Sequence, residues 1–122
     1  MDWTVKPIKI TVEITDDTTA YSIASVFPSV AVIRFSGENW YRFADKTADK
    51  WRGVKALAAH FGIDLKKAAA FGDDYNDADM LRFCGVGVAV ANAIDEAKAA
   101  ADYVCDSNDN DGVAKWLEEH VL

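Results

Sequence analysis

The sequence predicts an α/β protein in which a small α+β region over residues 1–45 precedes a parallel α/β region over residues 46–122. In the first region residues 8–14 alternate between apolar and polar, which is typical of a strand. In the second region short apolar runs alternate with helical patterns, which indicates parallel strands joined by helices. The composition fits a folded chain, because 51% of the 122 residues are hydrophobic and 27% are charged.

A strand, a helix and a hairpin fill the first region. Residues 8–14 (IKITVEI) alternate with a period of two and are rich in β-branched side chains, so they predict a half-buried strand. Residues 16–27 predict a short helix that Pro28 ends. Residues 29–44 predict two strands joined by a turn over residues 36–39 (SGEN).

Helices and strands alternate through the second region. The first helix spans residues 47–62, with Thr47 as its cap and Gly62 as its end. The next elements are a strand over 68–74, a helix over 77–85, a strand over 86–90, a helix from Asn92 to about Ala101 that Asn92 caps, a strand over 102–106 and a helix over 112–122.

Charge and composition exclude several classes of partner. Thirteen Lys and Arg residues against twenty Asp and Glu residues give a net charge of −7, which argues against nucleic acid and anionic membranes. Cys84 and Cys105 lie far apart without metal-ligand spacing, so we expect two small buried thiols in a reducing compartment. Neither a signal peptide nor a membrane-spanning run is visible, and the predicted location is the cytoplasm.

Four aspartates fall within seven positions of the segment FGDDYNDADML, residues 71–81. The segment follows an apolar strand, and ligands of open α/β sheets bind beyond the carboxyl ends of the strands. Asp73 at the strand end and Asp77 one turn into the helix can converge on Mg²⁺, which needs only one or two carboxylates. The alternative is that the acids only favour a helix N-terminus through its dipole. That alternative explains neither their number nor Asn76 among them.

Lys50 breaks two local rules. It falls within an apolar stripe on the predicted helix, and it lies in the first turn, where the helix dipole disfavours a cation. The stripe consists of Trp51, Val54, Leu57, Ala58 and Phe61. A residue that breaks local rules is a candidate for function. The alternative is a lysine whose ammonium extends from the end of the stripe into water.

These segments resemble the haloacid dehalogenase-like phosphatases. GDDYND (72–77) resembles their fourth motif, which is G-D-x-x-N-D in the Cof-type members. DKWRGVKALAAHFGI (49–63) resembles their third motif, in which a lysine opens the helix. Residues 85–104 and 107–119 resemble the rest of that C-terminal region.

The resemblance implies a fold and a set of roles. It runs from about residue 46 to the end and implies half of a Rossmann-like core, whereas residues 1–45 resemble, more weakly, the last part of the family's cap domain. Asp73 would be a direct Mg²⁺ ligand, and Asp77 would hold the ion through water. Asn76 would contact the phosphate, and Lys50 would bridge the phosphoryl group and the nucleophile. The substrate would be a phosphorylated small molecule.

The family's nucleophile has no counterpart in the chain. The reaction needs an aspartate that becomes an aspartyl phosphate, with a second aspartate two residues later as general acid and base. The nearest match, TDDTT (15–19), would place Thr15 at the nucleophile position and Asp17 at the acid-base position, with Ser36 as the second-motif serine. About twenty residues separate Thr15 from Ser36, fewer than a strand–helix–strand unit needs. We therefore expect the chain alone to be inactive. A fragment, a truncated gene product and one piece of a split enzyme all fit this pattern.

Two other functions and one assembly expectation stay open. A non-catalytic protein could bind metal or phosphate, or serve assembly, with half a site. Residues 107–118 fit a calcium loop through Asp109, Asp111, Gly112 and Glu118, although Ser107 replaces the first aspartate and a strand precedes the loop. In the family sheet the nucleophile strand lies beside the strand of residues 68–74. Without it this edge invites pairing with another chain, so we expect a homo-oligomer or a separate N-terminal half.

Overall fold

A computed structural model describes residues 8–35 and 37–122. The chain forms two compact units, one ending at Ala48 and the other spanning Asp49–Leu122. In chain order the main elements are β1 (Lys9–Glu13), α1 (Asp17–Val26), β2 (Val30–Arg34), β3 (Trp40–Asp45), α2 (Lys50–Phe61), β4 (Ala69–Gly72), α3 (Ala78–Phe83), β5 (Val86–Val90), α4 (Asp95–Ala100), β6 (Tyr103–Cys105) and α5 (Gly112–His120). Among the helices of the described ranges, none combines the length and the apolar character needed to cross a bilayer.

The first unit is an antiparallel sheet with strand order β1-β3-β2 and α1 packed against β2. Asp16 begins α1 because its carboxylate accepts from the backbone N–H groups of Thr18 and Thr19, at 3.1 and 2.9 Å. Asp17, in the first turn, accepts a hydrogen bond from the Tyr41 hydroxyl and forms an ion pair with Arg34. The predicted strand, helix and hairpin are therefore confirmed. The first residue of the predicted turn, Ser36, lies outside the described residues.

The predicted half-burial of β1 is wrong, because all five of its residues are exposed. Ile10 and Val12, on its apolar face, are 51% and 39% exposed. The physical reason is that β1 lies at the edge of the sheet while α1 packs against β2. The alternation correctly predicted a strand, but it did not predict what covers the apolar face.

The second unit is a parallel sheet, as predicted, and its strand order is β4-β5-β6. Phe71, Val88 and Tyr103 form one row across the three strands. Trp116 of α5 packs against this row, with ring-centroid distances of 5.5 Å to Phe71 and 6.0 Å to Tyr103. Helices α3 and α4 pack with β5 around a core of Leu81, Ala89, Val90, Ala93 and Ala97.

Helix α2 departs from its prediction at both its start and its stripe. Asp49 caps it by accepting from the Arg52 N–H at 2.7 Å, so the assignment of Thr47 as the cap is wrong; the Thr47 hydroxyl donates to Asp45 instead. Gly62 ends the helix with a φ of 67°, as predicted. Of the apolar stripe, Ala58 is buried, Trp51 and Val54 are half-buried, and Leu57 and Phe61 are exposed. The 3.6-residue period of the apolar residues therefore correctly predicted a helix. It did not predict that the apolar side chains near the C-terminal end of the helix would be exposed.

The helix cap assigned to Asn92 is also wrong. Helix α4 begins at Asp95, and the residue before it, Ile94, makes no side-chain cap. Asn92 lies outside the helix, and its side chain accepts a hydrogen bond from the backbone N–H of Asn108 at 3.2 Å. The Asn92 side chain therefore connects the loop after β5 to the loop after β6 and does not cap a helix.

The two cysteines carry free thiols. Cys84 is buried, as predicted, whereas Cys105 is only half-buried. Burial is the main cause that raises the pKa of both thiols.

Candidate active site

The acidic loop lies at the carboxyl end of β4, where the chain turns into α3. A short 3₁₀ helix, Tyr75–Asp77, fills the junction. Asp74 and Asp77 form a reciprocal cap around it, and the Asp74 carboxylate also accepts from the Tyr75 N–H at 2.8 Å. The aspartates thus form a short capped turn at the end of a parallel strand.

Asp77 lies at the centre of this arrangement and is 1% exposed. Its Oδ1 accepts from the Lys50 ammonium, and its Oδ2 accepts from the backbone N–H groups of Asp73 and Asp74, at 3.0 and 3.3 Å. Burial by itself raises the pKa of Asp77, but these hydrogen bonds, led by the one from Lys50, outweigh it and hold the pKa below its usual value. Asp77 is therefore a buried carboxylate whose two oxygens both accept hydrogen bonds, one from Lys50 and the other from the backbone of the loop.

Gly72 allows this position of Asp77. A Cβ atom on Gly72 would lie 2.4 Å from the Cβ of Asp77, well inside any normal contact. The glycine before the first aspartate is needed because the Asp77 side chain packs directly over the last residue of β4.

Replacing Gly72 should displace Asp77. We expect Gly72→Ala to lower the free energy of unfolding of the second unit by about 1–3 kcal/mol, the usual range for overpacking. Urea unfolding followed by the amide signals of β5 measures this. Gly53→Ala is the matched control, because a Cβ there meets nothing within 4 Å. The control should stabilise helix α2 by about 0.5–1 kcal/mol. Equal effects of the two substitutions would contradict the packing described here.

Asp73 differs from Asp77 in its exposure and in the direction of its pKa shift. Its side chain is exposed, and its backbone carbonyl accepts from the Ile94 N–H at 3.0 Å. Partial burial raises the pKa of the Asp73 carboxyl, and the carboxyl groups of Asp77 and Asp74 raise it further, while Lys50 offsets part of this rise. Asp73 is therefore the accessible carboxylate of the loop, in surroundings that favour a nearby positive charge.

The oxygen donors of this loop fit a hard divalent cation. Magnesium takes oxygen ligands and keeps several waters, so the accessible Asp73 carboxylate and a water-mediated contact to Asp77 are a sufficient protein contribution. Within the described residues, no three His, Cys, Asp or Glu side chains converge as a closed metal cluster. The arrangement is thus an open site with one accessible carboxylate, that of Asp73.

Lys50 is the first residue of α2, and its ammonium pairs with Asp77, 27 residues along the chain. Its side chain is 55% exposed, whereas that of Asp77 is 2% exposed. The lysine therefore does not simply extend into water. Asn76 is half-buried in the 3₁₀ helix, next to Asp77 in the chain. The structure thus brings Lys50 and Asp77 together beside Asp73.

The candidate acids of the first unit, Asp16 and Asp17, have structural partners. Asp16 caps helix α1, and Asp17 forms an ion pair with Arg34, as described above. The entering helix that a calcium hand requires is absent before residue 107, where the strand β6 stands instead. In the loop that follows β6, Asp106 accepts from the Ser107 N–H at 2.8 Å and pairs with Lys115 at 3.1 Å.

Sequence reasoning missed two contacts that connect the loops following β4, β5 and β6. The hydrogen bond from Ile94 to the Asp73 carbonyl involves only backbone atoms, so no side-chain pattern signals it. The hydrogen bond to Asn92 did have a signal, an asparagine directly after a strand, but the same signal fits a helix cap.

Comparison with known proteins links most of the chain to one family. The sequence model of a family described as haloacid dehalogenase-like hydrolase matches residues 4–117. A protein of Haemophilus influenzae named a putative phosphatase is 42% identical over 93 residues, which are 76% of this chain and 35% of that protein. A phosphoglycolate phosphatase of Methanopyrus kandleri is 39% identical over 79 residues, or 65% of this chain and 34% of that protein.

Solved structures show the same relation. The HAD subclass IIB sugar phosphatase BT4131 is 33% identical, with a TM-score of 0.78, over 92% of this chain and 42% of its own. A haloacid dehalogenase-like hydrolase of Bacillus subtilis is 28% identical, with a TM-score of 0.77, over 94% of this chain and 41% of its own. The match to the two curated relatives spans about a third of their length, 35% and 34%.

Proposed function

Because the chain belongs to the haloacid dehalogenase-like hydrolases, we propose that it is the C-terminal part of a magnesium-dependent phosphatase. Residues 1–45 would be the remnant of a cap domain, and residues 46–122 would be half of the catalytic core. The observation that supports this proposal is the Lys50–Asp77 pair beside the accessible Asp73, at the carboxyl end of a parallel strand.

The reaction would be hydrolysis of a phosphate monoester through an aspartyl phosphate. When bound at Asp73 and Asp77, Mg²⁺ would supply neutralising charge for the phosphoryl group. Lys50, oriented by Asp77, would donate to a phosphoryl oxygen and stabilise the charge of the transition state. Asn76 would contact the phosphate. None of these groups attacks phosphorus, so the nucleophile would come from a D-x-D segment on another piece of the enzyme.

Magnesium should bind this chain weakly at the acidic loop, because other ligands of the family site would come from that second piece. In a titration with MgCl₂ we expect amide shifts to change at residues 72–77 and at Lys50. Asp73→Asn should weaken binding at least about tenfold, whereas Asp79→Asn, an exposed site in α3, should change it little. Shifts confined to residues 106–112 would instead support the calcium-loop function and contradict this site.

The edge of β4 gives an expectation for assembly. Within the described sheet β4 pairs with β5 only, so its other edge offers unpaired backbone groups. We propose that this edge pairs with a second copy when the N-terminal half is absent.

Light scattering at high concentration should then show a dimer or a higher oligomer, with amides of residues 68–72 protected from exchange. Ala69→Lys should weaken the assembly, because a charged side chain on an edge strand opposes pairing; Ala69 is exposed. Ala114→Lys, at an exposed position of α5, is the control. A monomer whose residues 68–72 are nevertheless protected would contradict the edge pairing.

A non-catalytic protein that binds metal or phosphate would use the same residues without turnover. Restored turnover in the presence of the missing half separates the two functions.

A further inference from the structure

We propose that Asn92 is a positioning residue for Asp73, acting through the turn that joins β5 to α4. This inference rests on the proposed magnesium site at Asp73. Its effect passes through the backbone hydrogen bonds of that turn.

The loops that follow β4, β5 and β6 are connected in series. The Ile94 N–H donates to the Asp73 carbonyl at 3.0 Å, which joins the second loop to the first. The Asn108 N–H donates to the Asn92 Oδ1 at 3.2 Å, which joins the third loop to the second. Asn92 and Ile94 are two residues apart, so one short turn carries both connections.

This turn is well placed to transmit an effect. The Ala93 N–H donates to the Val90 carbonyl at 2.9 Å, and Ala93 is 6% exposed in the core beneath the turn. The turn is therefore fixed by two contacts: Ala93 packs in the core, and Asn92 accepts a hydrogen bond from the loop after β6.

The backbone of Asp73 is fixed by hydrogen bonds on both sides of its side chain. Its N–H donates to Asp77 Oδ2 at 3.0 Å, and its carbonyl accepts from Ile94. Both peptide groups flanking the Asp73 side chain are therefore held, one by the acidic loop itself and the other by the turn that Asn92 secures. Holding a ligand residue in its binding geometry lowers the cost of ordering it when the ion arrives.

The test compares three variants of the chain by Mg²⁺ titration and by amide hydrogen exchange. Asn92→Ala should weaken Mg²⁺ binding about two- to tenfold, the fold-change that corresponds to one net hydrogen bond. It should also speed exchange of both the Asn108 and the Ile94 amides. Asn92→Asp keeps an accepting oxygen and should restore the slow exchange of both. Asn108→Ala is the matched control, because only the backbone N–H of Asn108 takes part in the bond.

The Ile94 amide separates positioning from a merely structural role. Faster exchange at Asn108 alone, with Mg²⁺ affinity unchanged, would overturn the inference while leaving the magnesium site intact. If the unsubstituted chain shows no Mg²⁺-dependent shifts at residues 72–77, the proposed metal site fails and this inference fails with it.

Discussion

By itself, the chain should hydrolyse an aryl phosphate at least about 10⁴-fold more slowly than a full-length relative if, as proposed, its nucleophile lies on another piece of the enzyme, because residues that act as a unit in catalysis fail together when one is removed. Lys50 and a metal at Asp73 can stabilise charge, but they do not attack phosphorus. A threonine hydroxyl such as that of Thr15 needs a base to become a nucleophile. The two nearest carboxylates, Asp16 and Asp17, are engaged with α1, Arg34 and Tyr41.

The assay uses a generic aryl phosphate with Mg²⁺ and compares the chain with its Asp73→Ala variant. Both should give the same low rate. Robust activity in the unsubstituted chain, lost in the variant, would show that the nucleophile lies within these residues, with Thr15, Asp16 and Asp17 as the first candidates.

Removing the Asp77 carboxylate should produce the largest loss of stability in the second unit. We expect Asp77→Ala to lower the free energy of unfolding by about 2–4 kcal/mol, since it leaves two backbone N–H groups without their acceptor and removes a reciprocal cap. The Lys50 ammonium also loses its partner. Urea unfolding followed by the amide signals of β5 measures the loss.

Asp79→Ala serves as the control for this substitution. Asp79 is an exposed aspartate in the first turn of α3, where a carboxylate contributes about 0.3–1 kcal/mol through the helix dipole. If Asp77→Ala and Asp79→Ala cost the same, the acidic loop would be only a favourable helix start, and the bracing role of Asp77 would be wrong.

Local patterns predicted most of the second unit. Short apolar runs between helical segments correctly indicated a parallel sheet, and GDDYND correctly indicated the family. Lys50 could be singled out because it violates its own helix pattern, and the structure places its ammonium on Asp77. Such a violation is visible in the sequence because the unfavourable position of the lysine follows from its own helix. The aspartate that stabilises it, Asp77, is distant in the sequence.

Burial was predicted less well, for a physical reason. Periodicity in β1 and α2 shows which face of an element is apolar, but Ile10 and Leu57 remain exposed because no other described segment covers them. Asn92 was misassigned because an asparagine side chain can accept from the N–H groups of its own chain segment or from those of a distant loop. Only the fold decides between these two partners.

Complementation tests the proposed division of the active site between two pieces. The chain is mixed with a separately made N-terminal half of a relative that carries D-x-D, and aryl-phosphate hydrolysis is measured with Mg²⁺. Activity should appear only in the mixture, and Asp73→Ala or Lys50→Met in this chain should abolish it. If the two halves form a complex that hydrolyses nothing, or if the mixture is equally active with either substitution, this chain does not supply half of a phosphatase site.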